Sequence, residues 1–320
     1  MYSGIKKVFP PILFGKGARS MGEKRTGGAG IFFLSFGITF AILMAAVTGI
    51  LYWMLGKGEE RRTETASSQP AEEVMGTPPG KEEALNLVFI SCRKRTDAPF
   101  AYTLCRFDPA ESKVILVPVP PETLVTVSAR EDTFAGHYDY AGCANVVQAA
   151  ESLLLSNFDR YVRVGQQGAE NIIDALGGLE HTFETGYQTD RVSVPAGEHL
   201  LNGSLLYEIM NSPPEGEPPE TWRLGLCGEL LVDRLDETAD DRMDFLMEVF
   251  WNNTDTDLSQ FDYNTRRKAV TWFLKDEEKQ VEIIPLSGQW NPEHTEFIPG
   301  ETAVTQLREQ FGPLDRDVSE

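Results

Sequence analysis

Apolar residues are distributed unevenly along the chain. Ile31 to Leu55 is a 25-residue run without a charge, and at ~1.5 Å per helical residue it covers the ~30 Å core of a bilayer. It predicts a membrane-spanning helix. From 56 to 84 large apolar side chains nearly vanish and Glu, Thr, Ser, Pro and Gly take over, the composition of a flexible stalk. Beyond it, short apolar runs alternate with segments of helical periodicity. The runs 85–90, 101–107, 114–119, 161–164 and 281–285 predict strands, with a turn at Asp108-Pro109. The segments 145–155, 169–176, 203–211, 228–251, 265–274 and 302–311 predict helices. The 228–251 segment is interrupted around Asp236 to Asp241, and the 169–176 helix is stopped by Gly177-Gly178, where a glycine takes left-handed backbone. This alternation predicts one α/β domain over 85–315, a mixed central sheet flanked by helices, preceded by one transmembrane helix.

Charge sets the topology. Six basic residues against Glu23 give the first thirty residues +5, so a total of −20 leaves −25 for the rest. By the positive-inside bias, residues 1–30 are a cytoplasmic basic segment and 31–55 an uncleaved signal-anchor. A cleaved signal peptide would have a shorter apolar stretch followed by a small-residue cleavage site. The expected location is the cell membrane, single-pass type II, with the acidic domain outside. Such acidity argues against binding nucleic acid.

The common catalytic signatures are missing. No Walker loop, G-x-G-x-x-G or G-x-S-x-G occurs, and His137, His181, His199 and His294 show no metal spacing. Cys92, Cys105, Cys143 and Cys227 contain no CxxC, leaving disulfides and small buried side chains both open. The acidic run 236–244 lacks the ligand register of a calcium loop and predicts a solvated helix junction.

An ordered set of segments resembles the LytR-CpsA-Psr domain. Asn86-Leu87-Val88-Phe89-Ile90 comes first, followed by Phe107-Asp108-Pro109 with the strand ending Val117-Pro118-Val119-Pro120. Then come Tyr161-Val162-Arg163-Val164 with Asp174-Ala175-Leu176-Gly177-Gly178-Leu179, and Ala196-Gly197-Glu198 with Leu201-Asn202-Gly203. Thr256-Asp257-Leu258-Ser259 and Ile283-Ile284-Pro285 resemble its final third. The resemblance implies a part in Gram-positive cell-envelope and cell-wall biogenesis. Members transfer a glycopolymer from a polyprenyl pyrophosphate to peptidoglycan, with arginines on the pyrophosphate, aspartates on Mg2+ and an apolar tunnel for the lipid.

Several of the family's polar positions are altered here. Pro-Arg-Asp-Thr is Pro120-Pro121-Glu122-Thr123, Lys-Ile-Asn is Thr133-Phe134-Ala135, and Tyr-Val-Arg-x-Arg is Ile209-Met210-Asn211-Ser212-Pro213. Of Arg-x-x-Arg-Gln only Arg223 survives, with Leu226 and Cys227 following. Arg95-Thr96-Asp97 matches the family's Arg-Thr-Asp with a turn inserted at Asp97-Ala98-Pro99. The resemblance thus marks Arg95, Asp97, Glu122 and Arg223 as catalytic candidates and Asp97 as the metal ligand. Arg93, Arg106, Arg160 and Arg163 are candidate replacement cations, and of these Arg93, Arg106 and Arg163 are the candidates for the ligand. Each lost charge-stabilising donor typically costs ~10² to 10³ in rate. The expectation is a noncatalytic, pseudoenzyme-like binding or regulatory member whose partners are a polyprenyl lipid or envelope glycopolymer. An active Mg2+-dependent phosphotransferase and a purely structural domain are the alternatives.

Overall fold

The computed structural model describes residues 77–313. The segment 1–30, the expected span 31–55 and most of the stalk lie outside the described residues. Among the described residues no helix is long and apolar enough to cross a membrane.

Three strands, β1 (Leu85–Cys92), β2 (Pro99–Asp108) and β3 (Lys113–Val119), make an antiparallel meander. The hairpin β4 (Leu124–Val127) and β5 (Arg130–Thr133) leads into helix α1 (Phe134–Leu154). Strand β6 (Arg160–Gly165) then runs parallel to β1 and passes directly into α2 (Gln166–Leu176). A lobe follows, made of β7 (Leu179–Phe183), β8 (Tyr187–Gln188), β9 (Ser193–Val194), β10 (Gly197–Leu201), α3 (Gly203–Met210) and α4 (Pro219–Arg234). The rest is α5 (Glu237–Asp240), α6 (Met243–Asn253), β11 (Thr254–Thr256), α7 (Gln260–Lys275), β12 (Gln280–Ile283), β13 (Gly288–Trp290), β14 (Phe297–Pro299) and α8 (Glu301–Phe311). The central sheet has the order β11-β6-β1-β2-β3-β12. Its β1–β6 and β3–β12 pairs are parallel and the others antiparallel, so the sheet is mixed as the sequence pattern predicts.

Alternation along the strands sorts side chains onto two faces. Val88, Ile90, Tyr102, Leu104 and Val117 pack with Phe134, Val146 and Leu154 of α1 and Phe311 of α8. On the opposite face Leu85, Leu87 and Leu116 meet Met243 of α6 and Phe273 and Leu274 of α7. The lobe has its own core of Leu179, Leu201, Leu206, Ile209 and Leu230.

Local signals explain where boundaries differ from the periodicity. Helix α1 begins at Phe134 rather than Asn145, because Thr133 Oγ1 accepts from Gly136 N and a kink at Ala141-Gly142 interrupts the apolar stripe. The 228–251 segment is three helices, divided where Asp236 caps α5. Helix α7 starts at Gln260, fixed by a capping box between Ser259 and Asp262. Gly177 ends α2 in left-handed backbone at φ 100°. All four cysteines are unbridged. His137 is fully buried between the Val125 carbonyl and Asn145, a structural histidine.

One ion pair ties β6 to α7. Arg160 Nε and Nη2 donate to Asp262 at 3.0 and 2.8 Å, and Ser259 donates to the same carboxylate through N and Oγ. Burial raises the Asp262 carboxyl, but these hydrogen bonds outweigh it and hold it at about 2 against an ordinary 3.8. The folded pKa lies below the unfolded one, so the stabilisation is complete above about 3.8 and is lost as pH falls through about 2. Asp262→Asn is therefore expected to lower urea stability by about 2 kcal/mol at pH 7. The gap from wild type should close near pH 2, and a gap that persists there would separate the loss from ionisation.

Candidate ligand-binding site

The site lies where β1 and β6 end, the usual place for ligands at the carboxyl ends of parallel strands. Strand β1 runs into the loop 93–98, whose Arg93 carbonyl accepts from Gln166 N, the first residue of α2, at 3.1 Å. Residues at helical spacing on α2, Ala169, Ile172, Ile173 and Leu176, face the sheet across an apolar cavity of about 330 Å³. Phe89, Ala101, Val162 and Val164 supply its sheet wall, and Leu224, Cys227, Leu230 and Leu231 of α4 supply the rest. A second apolar cavity of about 290 Å³ shares Ile172, Leu176, Leu231 and Phe250 with the first. It reaches Leu85, Leu87, Phe107 and Val114 at the far end of the sheet. Together they follow the length of β1, about 26 Å at ~3.3 Å per residue.

At the other end the apolar cavity meets a polar mouth of about 490 Å³, with Phe100, Tyr207, Asn211 and Arg223 shared between them. Arg93, Arg191 and Arg223 line this mouth, together with Asp190 and Glu208. Arg93 hangs from the β1–β2 loop. Arg191 is carried by the turn between β8 and β9, which Thr189 Oγ1 closes by accepting from Arg191 N and Val192 N. Arg223 projects from α4, with its guanidinium 5.1 Å from the Phe100 ring centre and its Nε buried without a hydrogen-bond partner. Burial pushes the Tyr207 hydroxyl up, Arg223 and Arg93 oppose this, and Glu170 and Glu208 add to it. Tyr207 therefore faces the mouth as a neutral donor at physiological pH.

Of the sequence candidates, Arg93 and Arg223 line the mouth and the others stand elsewhere. Arg95 donates through Nη2 to the Thr254 carbonyl at 3.2 Å. The Asp97 carboxylate accepts from Thr96 Oγ1, and its carbonyl accepts from Arg163 Nη2 at 3.0 Å. Arg163 is largely buried, 3.7 Å from Asp255 and with its guanidinium 5.7 Å from the Tyr138 ring centre, on the face that packs against α1. Arg106 is at the opposite end of the sheet, paired with Asp108 at 2.8 Å and bonded to the Phe311 carbonyl. Glu122 lies beyond β3, where its carbonyl accepts from Phe297 N at 2.9 Å.

Arg191, Tyr207 and Glu208 complete the mouth and were not singled out in the sequence. Asn211 and Pro213, which the resemblance sets against two arginines of that family, line the same mouth. Among the described residues no three carboxylate, histidine or cysteine groups converge as a metal site. Asp97, the candidate metal ligand, is not among the mouth-lining residues. Magnesium is commonly held by one or two carboxylates together with substrate phosphates; the described residues supply no preformed cage.

The LytR_cpsA_psr family model matches residues 73–209. A curated relative, the polyisoprenyl-teichoic acid–peptidoglycan teichoic acid transferase TagU of Enterococcus faecalis (strain ATCC 700802 / V583), is 23% identical over 210 residues. That match covers 59% of this chain and 66% of the relative, just under two thirds of its length. The crystal structure of Bacillus subtilis TagV superposes with a TM-score of 0.59 at 18% identity, covering 72% of this chain and 97% of that one. TagT bound to LI-WTA superposes with a TM-score of 0.55 at 18% identity, covering 78% and 96%. These structural likenesses concern the fold. Together with the ordered segments that begin at Asn86, the family match at 73–209 marks this stretch of the chain as similar to the LytR-CpsA-Psr family.

Proposed function

We propose that this chain is a membrane-anchored extracytoplasmic protein that binds a polyprenyl-pyrophosphate-linked envelope glycopolymer without transferring it. One observation carries the reading: a long apolar cavity opens directly onto a mouth lined by three arginines, through Phe100, Tyr207, Asn211 and Arg223. An amphiphile with an isoprenoid tail and a doubly anionic head matches both halves, the tail by apolar burial and the head by charge-assisted hydrogen bonds. The relative named as a polyisoprenyl-teichoic acid transferase supports this ligand class.

The noncatalytic part rests on the composition of the mouth. Asn211 and Pro213 replace cations there, and Asp190 and Glu208 offset two of the three arginines present. Phosphoryl transfer depends on positive charge preorganised around the phosphates. The alternative of an active transferase draws on the same Arg93, Arg191 and Arg223, with Mg2+ brought in by the substrate.

The test uses the full chain in detergent with polyprenyl pyrophosphate, with and without magnesium. Saturable binding without release of phosphate is expected. Magnesium-dependent release that disappears in Arg223→Ala would establish a transferase-like site, and absence of binding would leave a structural domain.

A further inference from the structure

Resting on the mouth as the seat of a pyrophosphate, we infer that Glu208 determines specificity by accepting a hydrogen bond from the sugar attached to that head. Glu208 stands on α3 beside Tyr207 and lines the mouth. A carboxylate there repels a bare pyrophosphate, so the ligand must compensate for it. Its neighbour in the protein does not. Arg191 comes no nearer than 3.7 Å and its side chain is 68% exposed, so solvent screens the pair and little stabilisation results.

Oε2 of Glu208 is buried and accepts no hydrogen bond, which is costly unless a bound group supplies a donor. Arg223 Nε, in the same mouth, is a buried donor without an acceptor. The mouth therefore holds one orphan acceptor and one orphan donor. A bare pyrophosphate can satisfy only the donor, and a free amine only the acceptor. A sugar joined through its phosphate satisfies both, since phosphate oxygens meet the arginines while a hydroxyl or amide N–H reaches Glu208. The family's shared segments do not include this residue; it precedes the altered run Ile209 to Pro213.

The experiment titrates the full chain in detergent with polyprenyl pyrophosphate and with the same lipid carrying an N-acetylhexosamine on its distal phosphate. Wild type is expected to favour the glycosylated lipid by about tenfold. Glu208→Ala should erase that preference by weakening the glycosylated lipid and, with the repelling charge gone, tightening the bare one. Glu208→Gln keeps an acceptor and the side-chain shape and should retain most of the preference. Thermal melts of both variants check that the fold is kept. The inference is overturned if Glu208→Ala shifts both lipids by one factor, if wild type does not distinguish them, or if the preference vanishes on chelating magnesium. A wild type that binds neither lipid overturns the pyrophosphate reading as well.

Discussion

Replacing Ala169 with tryptophan is expected to weaken binding of polyprenyl pyrophosphate more than a hundredfold while leaving the fold in place. Ala169 faces the apolar cavity from the second turn of α2, between the sheet and α4. An indole there fills space that the lipid tail would occupy. Burial of each methylene contributes about 0.8 kcal/mol, so excluding four of them costs about 3 kcal/mol, or two orders of magnitude in Kd. The indole enters an existing cavity and not a close-packed layer, so the overpacking penalty of a filled core is largely avoided. The check is lipid titration beside a thermal melt. Undiminished binding by a folded variant would place the tail elsewhere.

The second large effect concerns the head. Arg223→Ala is expected to weaken the same lipid by about 10- to 100-fold, the range for losing charge-assisted hydrogen bonds worth about 1.5 to 3 kcal/mol. The residual binding should depend less on salt, because one cation facing the phosphates has gone. Arg95→Ala is the informative contrast. Its guanidinium is engaged with the Thr254 carbonyl, so the affinity should stay within about twofold despite the match to the family motif. A larger loss at Arg95 than at Arg223 would move the head to the β1–β2 loop.

The sheet was legible because its central strands are covered on both faces and so stand out as short continuous apolar runs, while burial imposes period 3.6 on the helices packed against them. Val88 and Ile90 belong to one core and Leu85 and Leu87 to another, so β1 is apolar on both faces and appears in the chain as an unbroken run. Helix starts were less legible. At Thr133 and Ser259 a single side chain decides the boundary by capping, and apolar spacing carries no trace of it. The mouth was read in part. Arg223 kept its place in a recognisable helix start, and Arg93 stood beside a strand end. Arg191 escaped notice because a two-residue strand pair brings it to the mouth, a contact with no local periodicity. Arg163 shows the reverse problem: as a basic residue in a strand it looked like a replacement cation, yet alternation turns it toward Tyr138 and α1. Motif similarity located the neighbourhood, and only tertiary packing assigned each guanidinium to a side of the sheet.

The junction of the two ends of the domain has a mechanical consequence. Asn86 Nδ2 donates to the Phe311 carbonyl at 2.9 Å and Arg106 Nη1 to the same oxygen at 3.0 Å, so the close of α8 is fastened to the start of β1. The mouth is at the other end of that strand. A pull between a ligand held there and the chain before Leu85 runs along the axis of β1, against its ladders with β2 and β6 on both sides. Those bonds share the load in shear and do not open one after another, so under the proposed anchoring and ligand any tension between the two would meet the sheet in its stiffest direction.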